Sequence, residues 1–286
     1  MKFNGRVFEF DPPWVSRSRL REPNPRTDDD TNNLFSEYIK GKRVAIVGPA
    51  SSLDGLGLGD KIDSYDVVVR VNQREPVHKI LHEDFGSKTD VAAYNFNITC
   101  IRILSKAETK AWLEGTDWTV VTDIRGIQSH VSAFNASFSK YAFCLNPKSS
   151  EQAGFHMLGK EYIKTVEQNI GTIPNAGLLY IVWLLQYDIK ELFIAGMSFY
   201  NMGEWGDCYN VKQHSNPYYG MYRLDNVESA GYVSPGPGAR KARNDIHDQQ
   251  SQITYFAKLL EIYYNNPITL DPYLTKAFEV EKSNEE

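Results

Sequence analysis

Residues 43–73, RVAIVGPASSLDGLGLGDKIDSYDVVVRVNQ, decide the fold class. Val44 to Val47 is a short apolar run closed by Gly48, the pattern of a strand buried on both faces of a parallel sheet. Pro49, Ala50, Ser51 and Ser52 follow as a small turn. Its backbone N–H groups, together with the start of the next helix, suit an anion such as a phosphate. A second run, Val67 to Val71, ends in Asn72 and Gln73. Parallel strands deliver both ends to the carboxyl edge of the sheet, where open α/β folds bind ligands. The stretch therefore predicts strand, Gly-rich turn, helix start and second strand, and outlines a nucleotide pocket with Gly48, Ser51, Ser52, Asn72 and Gln73 as candidate contacts.

Outward from this unit, strand-like runs at 66–72, 90–95, 117–122, 141–145, 191–196 and 267–270 join 43–48, and helical patterns fall near 105–115, 159–168, 176–187 and 248–264. Their alternation predicts an α/β protein, a Rossmann-like, mainly parallel sheet with helices on both faces. One domain is expected over 41–275. Residues 1–40 show no period and are read as an extended N-terminal arm, pinned by Phe8, Phe10 and Trp14, and residues 276–286 as a polar C-terminal tail. Asp28, Asp29 and Asp30 are read as a solvated charge run rather than a metal site. Residues 198–246 are rich in Tyr, Gly, Asn and Pro, and so long a loop reads as a lid or as an aromatic-anchored loop without catalytic duty.

Composition narrows the class. The 286 residues are 42% apolar and 23% charged, ordinary for a globular chain. A net charge of −5 argues against nucleic acid as the main partner. Cys100, Cys144 and Cys208 have neither disulfide-framework nor zinc spacing and read as thiols of a reducing compartment. No apolar run is long enough to span a bilayer, and MKFNGRVFEFDPP is not a signal peptide. These features predict a cytoplasmic protein, with peripheral membrane contact left open.

Three constellations carry chemistry. In the first, Gly55, Gly57 and Gly59 lie too far beyond the strand for a dinucleotide fingerprint, and Asn72, Gln73 and Arg74 stand where an NAD site wants an acid. The Asn72 and Gln73 amides suit a base or a ribose instead. The second is Asn175-Ala176-Gly177, at a predicted helix start, where small residues leave N–H donors facing an anion. That helix carries Leu178, Ile181, Val182 and Leu185 on one face, and the strand after it ends at Gly196, with Ser198 and Tyr200 emerging at the same edge. The third is RNDIHDQQSQ, residues 243–252, before a helix with Ile253, Phe256, Leu260 and Tyr263 on one face and Asp245 as candidate N-cap. His247 then sits at the helix start, where the partial positive charge keeps an imidazole neutral and fit to act as a base.

Together these segments resemble the sialyltransferases that use CMP-activated sugars. IVGPASSLDGLGLGDKIDSYDVVVRVNQ with DFGSKTDVAAYN resembles the large sialylmotif. IPNAGLLYIVWLLQYDIKELFIAG resembles the small one, with Pro174-Asn175-Ala176-Gly177 at the family's PSTG, and HDQQSQ resembles the very small motif that starts with the catalytic His. IAGMSFYNMGEWGDCY is similar to bacterial lipooligosaccharide sialyltransferases. The resemblance covers residues 43–264 and implies a sialyltransferase-type variant of the GT-A fold with inverting, metal-independent transfer and no cofactor. It further implies a CMP-sugar donor (sialic acid or a relative such as Kdo) and a glycan or glycolipid acceptor.

By the same resemblance His247 is the general base, Tyr200 and Tyr209 stabilise the departing phosphate, Asn72 and Gln73 meet the nucleotide, and Asn95 lies near the donor sugar or acceptor. The Asn175, Ala176 and Gly177 turn, with Gly196, would hold cytidine or phosphate. The chain departs from the family at Pro49, where an Asn is usual, and in lacking a clear third motif before His247. Cysteines that link the large and small motifs in secretory-pathway members are absent near Val44 and Tyr187. A catalytically inactive CMP-binding protein and an NAD(P)-dependent oxidoreductase remain as alternatives.

Overall fold

Apolar runs that alternate between two faces build the sheet. The computed structural model describes residues 2–3, 6–7, 29–73, 76–77, 79–94, 112–113, 115–122, 154–158, 160–199, 248–263 and 267–278. Lys2–Phe3 (β1) and Arg6–Val7 (β2) form a short antiparallel pair. The main sheet is parallel throughout and contains β3 (Arg43–Val47), β4 (Val67–Val71), β5 (Val91–Tyr94), β6 (Trp118–Thr122), β7 (Gly154–Leu158), β8 (Glu191–Ala195) and β9 (Ile268–Leu270). Their spatial order is β7-β6-β5-β4-β3-β8-β9. The chain thus adds strands to one side of β3 as far as β7, then crosses to β8 on the other side. β3 and β8 are the strands between which the order reverses, and a crevice opens at such a switch point. Their register pairs Val44 with Leu192 and Val47 with Ala195, so they end level.

Side chains of β3 point alternately to two cores, as a strand's period of two requires. Val44 and Ile46 enter the larger cluster, which is covered by α1 (Asp29–Ile39), α4 (Lys160–Ile170), α5 (Ala176–Leu184) and α6 (Gln249–Tyr263). Ala45 and Val47 enter the smaller one, with Ile62 of α2 (Gly59–Asp63) and Phe85 of α3 (His82–Phe85). A final helix, α7 (Pro272–Ala277), follows β9. Helices on both faces of a parallel sheet are the expected Rossmann-like architecture.

Several expectations need correction. Residues 29–39, assigned to an extended arm, form α1, whose Phe35 and Ile39 are fully buried. The Phe35 ring lies 4.6 Å from Trp183 and 5.1 Å from Trp118, so this helix is part of the core. Asp29 and Asp30 are its first two residues. Phe8, Phe10 and Trp14 lie outside the described residues, as do the candidate strand 141–145 and most of the helix at 105–115. Beside β6, the edge of the sheet is formed by β7, which was not among the expected strands. The C-terminal tail begins later than expected, because Ala277 and Phe278 are buried. Helix α5 is apolar around its whole circumference rather than on one face, and every residue from Ala176 to Leu184 is buried. Tyr180 pins it to the sheet, its hydroxyl donating to the Tyr94 and Val120 carbonyls at 2.8 and 3.2 Å.

Arg70 of β4 organises the loop before β5. It is 1% exposed, and donates from Nε to the Lys88 carbonyl and from Nη2 to the Phe85 carbonyl, each at 2.8 Å. Burial lowers its pKa to about 10, against the pull of Asp63 and Asp90, which leaves the guanidinium charged. Asp63, at the end of α2, accepts from the Ser87 and Lys88 N–H groups and the Ser87 hydroxyl. Burial opposes its charge, but these donors outweigh it and hold the carboxyl below its usual range. The DFGSKTD segment is therefore clamped from two sides, next to the start of β4. Arg70→Leu leaves two buried carbonyls unpaired and is expected to destabilise the fold by about 3 kcal/mol, read from urea unfolding. A change below about 1 kcal/mol in that experiment would show that the clamp is dispensable.

Candidate active site

The ends of β3, β4 and β8 and the start of α5 enclose a cleft of about 560 Å³, counting space open to solvent. The turn after β3 contributes Pro49 and Ala50, the end of β4 Val71 and Asn72, and α5 Asn175, Ala176 and Gly177. The exit from β8 contributes Gly196, Met197, Ser198 and Phe199. This is a ligand-sized crevice at the switch point of the sheet.

Close backbone contact shapes its floor. Gly48 donates to the Ala195 carbonyl at 2.8 Å, and Ala50 to the Gly196 carbonyl at 3.0 Å. Gly196 has φ +65°, and a Cβ on either Gly48 or Gly196 would strike the carbonyl of the other. The Met197 sulfur fills the remaining space and lies 2.6 Å from where a Cβ on Gly48 or on Gly177 would stand. Three glycines thus let the turn, the β8 exit and the helix start converge on one methionine.

Among the described residues, Asn72 (φ 58°) and Phe199 (φ 50°) are the non-glycine positions with left-handed backbone, and both line the cleft. Asn tolerates this conformation, whereas a bulky ring does so only under constraint. The Phe199 ring is held by Phe256 at 4.9 Å and Phe278 at 6.1 Å, and Asn72 donates its N–H to the Ala93 carbonyl at 2.7 Å. Such strained positions concentrate where geometry serves a ligand.

Asn175 is the N-cap of α5, and its Oδ1 accepts from the Leu178 N–H at 2.9 Å. The N–H groups of Ala176 and Gly177 have no partner within the helix and belong to the cleft wall. Asp271, absent from the sequence-based candidates, is fully buried behind the opposite wall. One carboxylate oxygen accepts from the Gly196 N–H at 2.8 Å and the other caps α7 through the Leu274 N–H at 2.7 Å. Burial pushes its pKa up to about 6, against the pull of these N–H groups and of Lys61. The partner Gly196 is 75 residues away. No local pattern reports it.

The candidates are thus placed as follows. Asn72, Asn175, Ala176, Gly177 and Gly196 line the cleft, and Gly48 packs directly beneath Gly196. Gln73 is buried and Ser52 partly so, and neither lines the cleft; Ser51 opens a 3₁₀ turn, Ser51–Leu53. His247, Tyr200, Tyr209, Asn95 and all but the first two residues of the lid region 198–246 lie outside the described residues. The N-cap of α6 is corrected. The helix starts at Gln249, and Asp248, not Asp245, accepts from the Gln250 N–H and the Ser251 hydroxyl. Among the described residues, no three His, Cys, Asp or Glu side chains converge as a metal site would require.

Residues 22–186 match the family model of glycosyltransferase family 29 (sialyltransferase), more than half of the 286-residue chain. The chain is 21% identical over 245 residues to the mouse CMP-N-acetylneuraminate-beta-galactosamide-alpha-2,3-sialyltransferase 1, covering 77% of this chain and 65% of the relative. It is 24% identical over 217 residues to the mouse type 2 lactosamine alpha-2,3-sialyltransferase, covering 70% and 61%. It therefore spans less than two thirds of the length of these relatives. A mammalian sialyltransferase crystallised with Gal-beta-1-3GalNAc-ortho-nitrophenol is similar in structure, with a TM-score of 0.48, 17% identity and coverage of 89% and 83%. The Campylobacter jejuni sialyltransferase CstII in complex with cytidine-5'-monophosphate gives 0.46, 15%, 83% and 84%. The relatives correct the expected cytoplasmic location, because mammalian sialyltransferases are enzymes of the Golgi lumen. Cysteine spacing and a polar start do not report a compartment. No helix among the described residues is long and apolar enough to cross a membrane.

Two outcomes test the cleft wall. Gly196→Ala forces an overlap with Gly48 and a strained φ, and is expected to cost about 3 kcal/mol in urea unfolding. Asp271 holds its proton more tightly folded than unfolded, so its contribution is complete below about pH 4 and is lost as pH rises through about 6. The stability deficit of Asp271→Asn relative to wild type should therefore shrink between pH 4 and 7, by up to about 3 kcal/mol. A deficit that is flat or grows with pH would place an ionised Asp271 in the native state throughout.

Proposed function

The chain belongs to glycosyltransferase family 29, the sialyltransferases, and we propose that it moves sialic acid from a CMP donor to a hydroxyl of a glycan or glycolipid. The observation that carries this reading is the switch-point cleft, walled on one side by the start of α5 and on another by Asn72. The Ala176 and Gly177 N–H groups suit the single phosphate of CMP, since a helix N-terminus offers free donors and partial positive charge. The Asn72 side chain suits the nucleoside. Gly48 and Gly196 keep the floor low enough for backbone to approach the ligand.

The reaction follows from those contacts and from the residues the motifs assign. His247 accepts the proton of the acceptor hydroxyl as that oxygen bonds to the anomeric carbon. The bond from that carbon to the CMP phosphate oxygen breaks, and CMP leaves with the electron pair. Attack opposite the leaving group inverts the centre. Tyr200 and Tyr209, with the helix start, stabilise the negative charge on the phosphate, so the step requires neither a metal ion nor a covalent enzyme intermediate. Asn95 is assigned to the donor sugar or acceptor. One observation favours a second reading, a nucleotide-binding protein without turnover. Pro49 lines the cleft where the family carries an Asn, which removes an amide and a backbone donor.

CMP release from CMP-sialic acid, with CMP-Kdo as the alternative donor, decides between them. Wild type is expected to release CMP from CMP-sialic acid and His247→Ala to do so about a hundredfold more slowly. Equal rates would remove His247 as the base. Binding of CMP without turnover of either donor would establish the second reading.

A further inference from the structure

Gln252 of α6 is a fully buried polar side chain that touches no cleft surface yet holds a cleft residue in place. Its exposure is 0%, and it does not belong to the cleft lining. Oε1 accepts the backbone N–H of Asn175 at 2.7 Å, across 77 residues of sequence. Among the described residues, its buried Nε2 has no hydrogen-bond partner. A buried donor left unpaired is costly, so stability alone is a poor reason for this side chain.

The bond acts on the one residue whose orientation aims the helix start. Asn175 has its side chain engaged by the Leu178 N–H and its carbonyl by the Leu179 N–H. The Gln252 oxygen takes the Asn175 N–H, so the N–H, the carbonyl and the Oδ1 of that residue are all held. With all of these engaged, the peptide planes that present the Ala176 and Gly177 N–H groups cannot rotate independently. Without Gln252, the Asn175 N–H would be a buried orphan, relieved most easily by turning toward the cleft. The acceptor is also neutral. A carboxylate in its place would add a buried negative charge behind a wall that faces a phosphate.

We propose that Gln252 is a positioning residue for the CMP donor, acting through the N-cap Asn175 and joining α6 to the nucleotide-facing end of α5. The proposal rests on the donor reading above. Gln252→Met removes the acceptor and fills the same space with an unbranched side chain suited to a helix. It also removes the unpaired donor, so its melting temperature is expected to stay within a few degrees of wild type. CMP affinity by calorimetry should nevertheless fall about tenfold, and the Asn175 amide should exchange with solvent faster. Gln252→Glu at pH 5, where burial keeps the carboxyl protonated, retains the acceptor and should stay within about threefold of wild type in both readouts.

Wild-type CMP affinity in folded Gln252→Met would overturn the proposal. So would a Gln252→Glu variant as impaired as the methionine one. Failure of the wild type to bind CMP would instead defeat the donor reading. In that case amide exchange at Asn175 still decides whether Gln252 holds the helix start.

Discussion

Two parallel strands leave the sheet in contact too close for any side chain between them, and the site depends on that fact. Gly48 and Gly196 each occupy the space a Cβ on the other would need. Because the backbones touch there, the turn after β3 and the exit from β8 diverge above the contact instead of filling it. The start of α5 approaches the same point only because Gly177 also leaves room for Met197. Steric exclusion at the floor thus creates the crevice, and the reversal of strand order places it at the carboxyl edge of the sheet.

Among the described residues, no charged side chain lines the cleft. In the proposed function, the described part of the cleft meets the donor phosphate with peptide dipoles. Dipoles are short-ranged and directional, so recognition depends on aim more than on charge. That explains why the buried polar groups stand behind the walls: Asp271 holds the Gly196 N–H, and Gln252 holds the Asn175 N–H. Each fixes a residue of the cleft lining. Arg70 fixes main-chain carbonyls too, but in the loop before β5, at the opposite edge of the sheet.

The sheet was legible because Val44–Val47 and Leu192–Ala195 are apolar runs, and Val67–Val71 is one but for Arg70, each bounded by glycine or polar residues, and the structure buries all of them. Asn72 and the Asn175-Ala176-Gly177 turn were legible as polar or small residues at the ends of such elements. Helix α1 was not, because its sequence DDTNNLFSEYI is polar for five residues and its apolar anchors, Phe35 and Ile39, appear only in its second half. β7 was missed because it opens on a glycine and carries His156 at its centre, a residue that the stacked rings of Phe35 and Trp183 accommodate. The Asp271 and Gln252 contacts span 75 and 77 residues, distances over which no periodicity carries information. Asp271 had no sequence reading, and Gln252 entered only as the last residue of HDQQSQ.

Complete enclosure of α5 has a thermodynamic corollary. A helix packed on every side has little freedom left to lose, and its N-cap is fixed by hydrogen bonds from two directions. A ligand that docks on this end orders nothing that folding has not already ordered. In the proposed function, α5 would then contribute rigid-body recognition, with a small entropic penalty from this element and little capacity to adapt to a ligand of different shape.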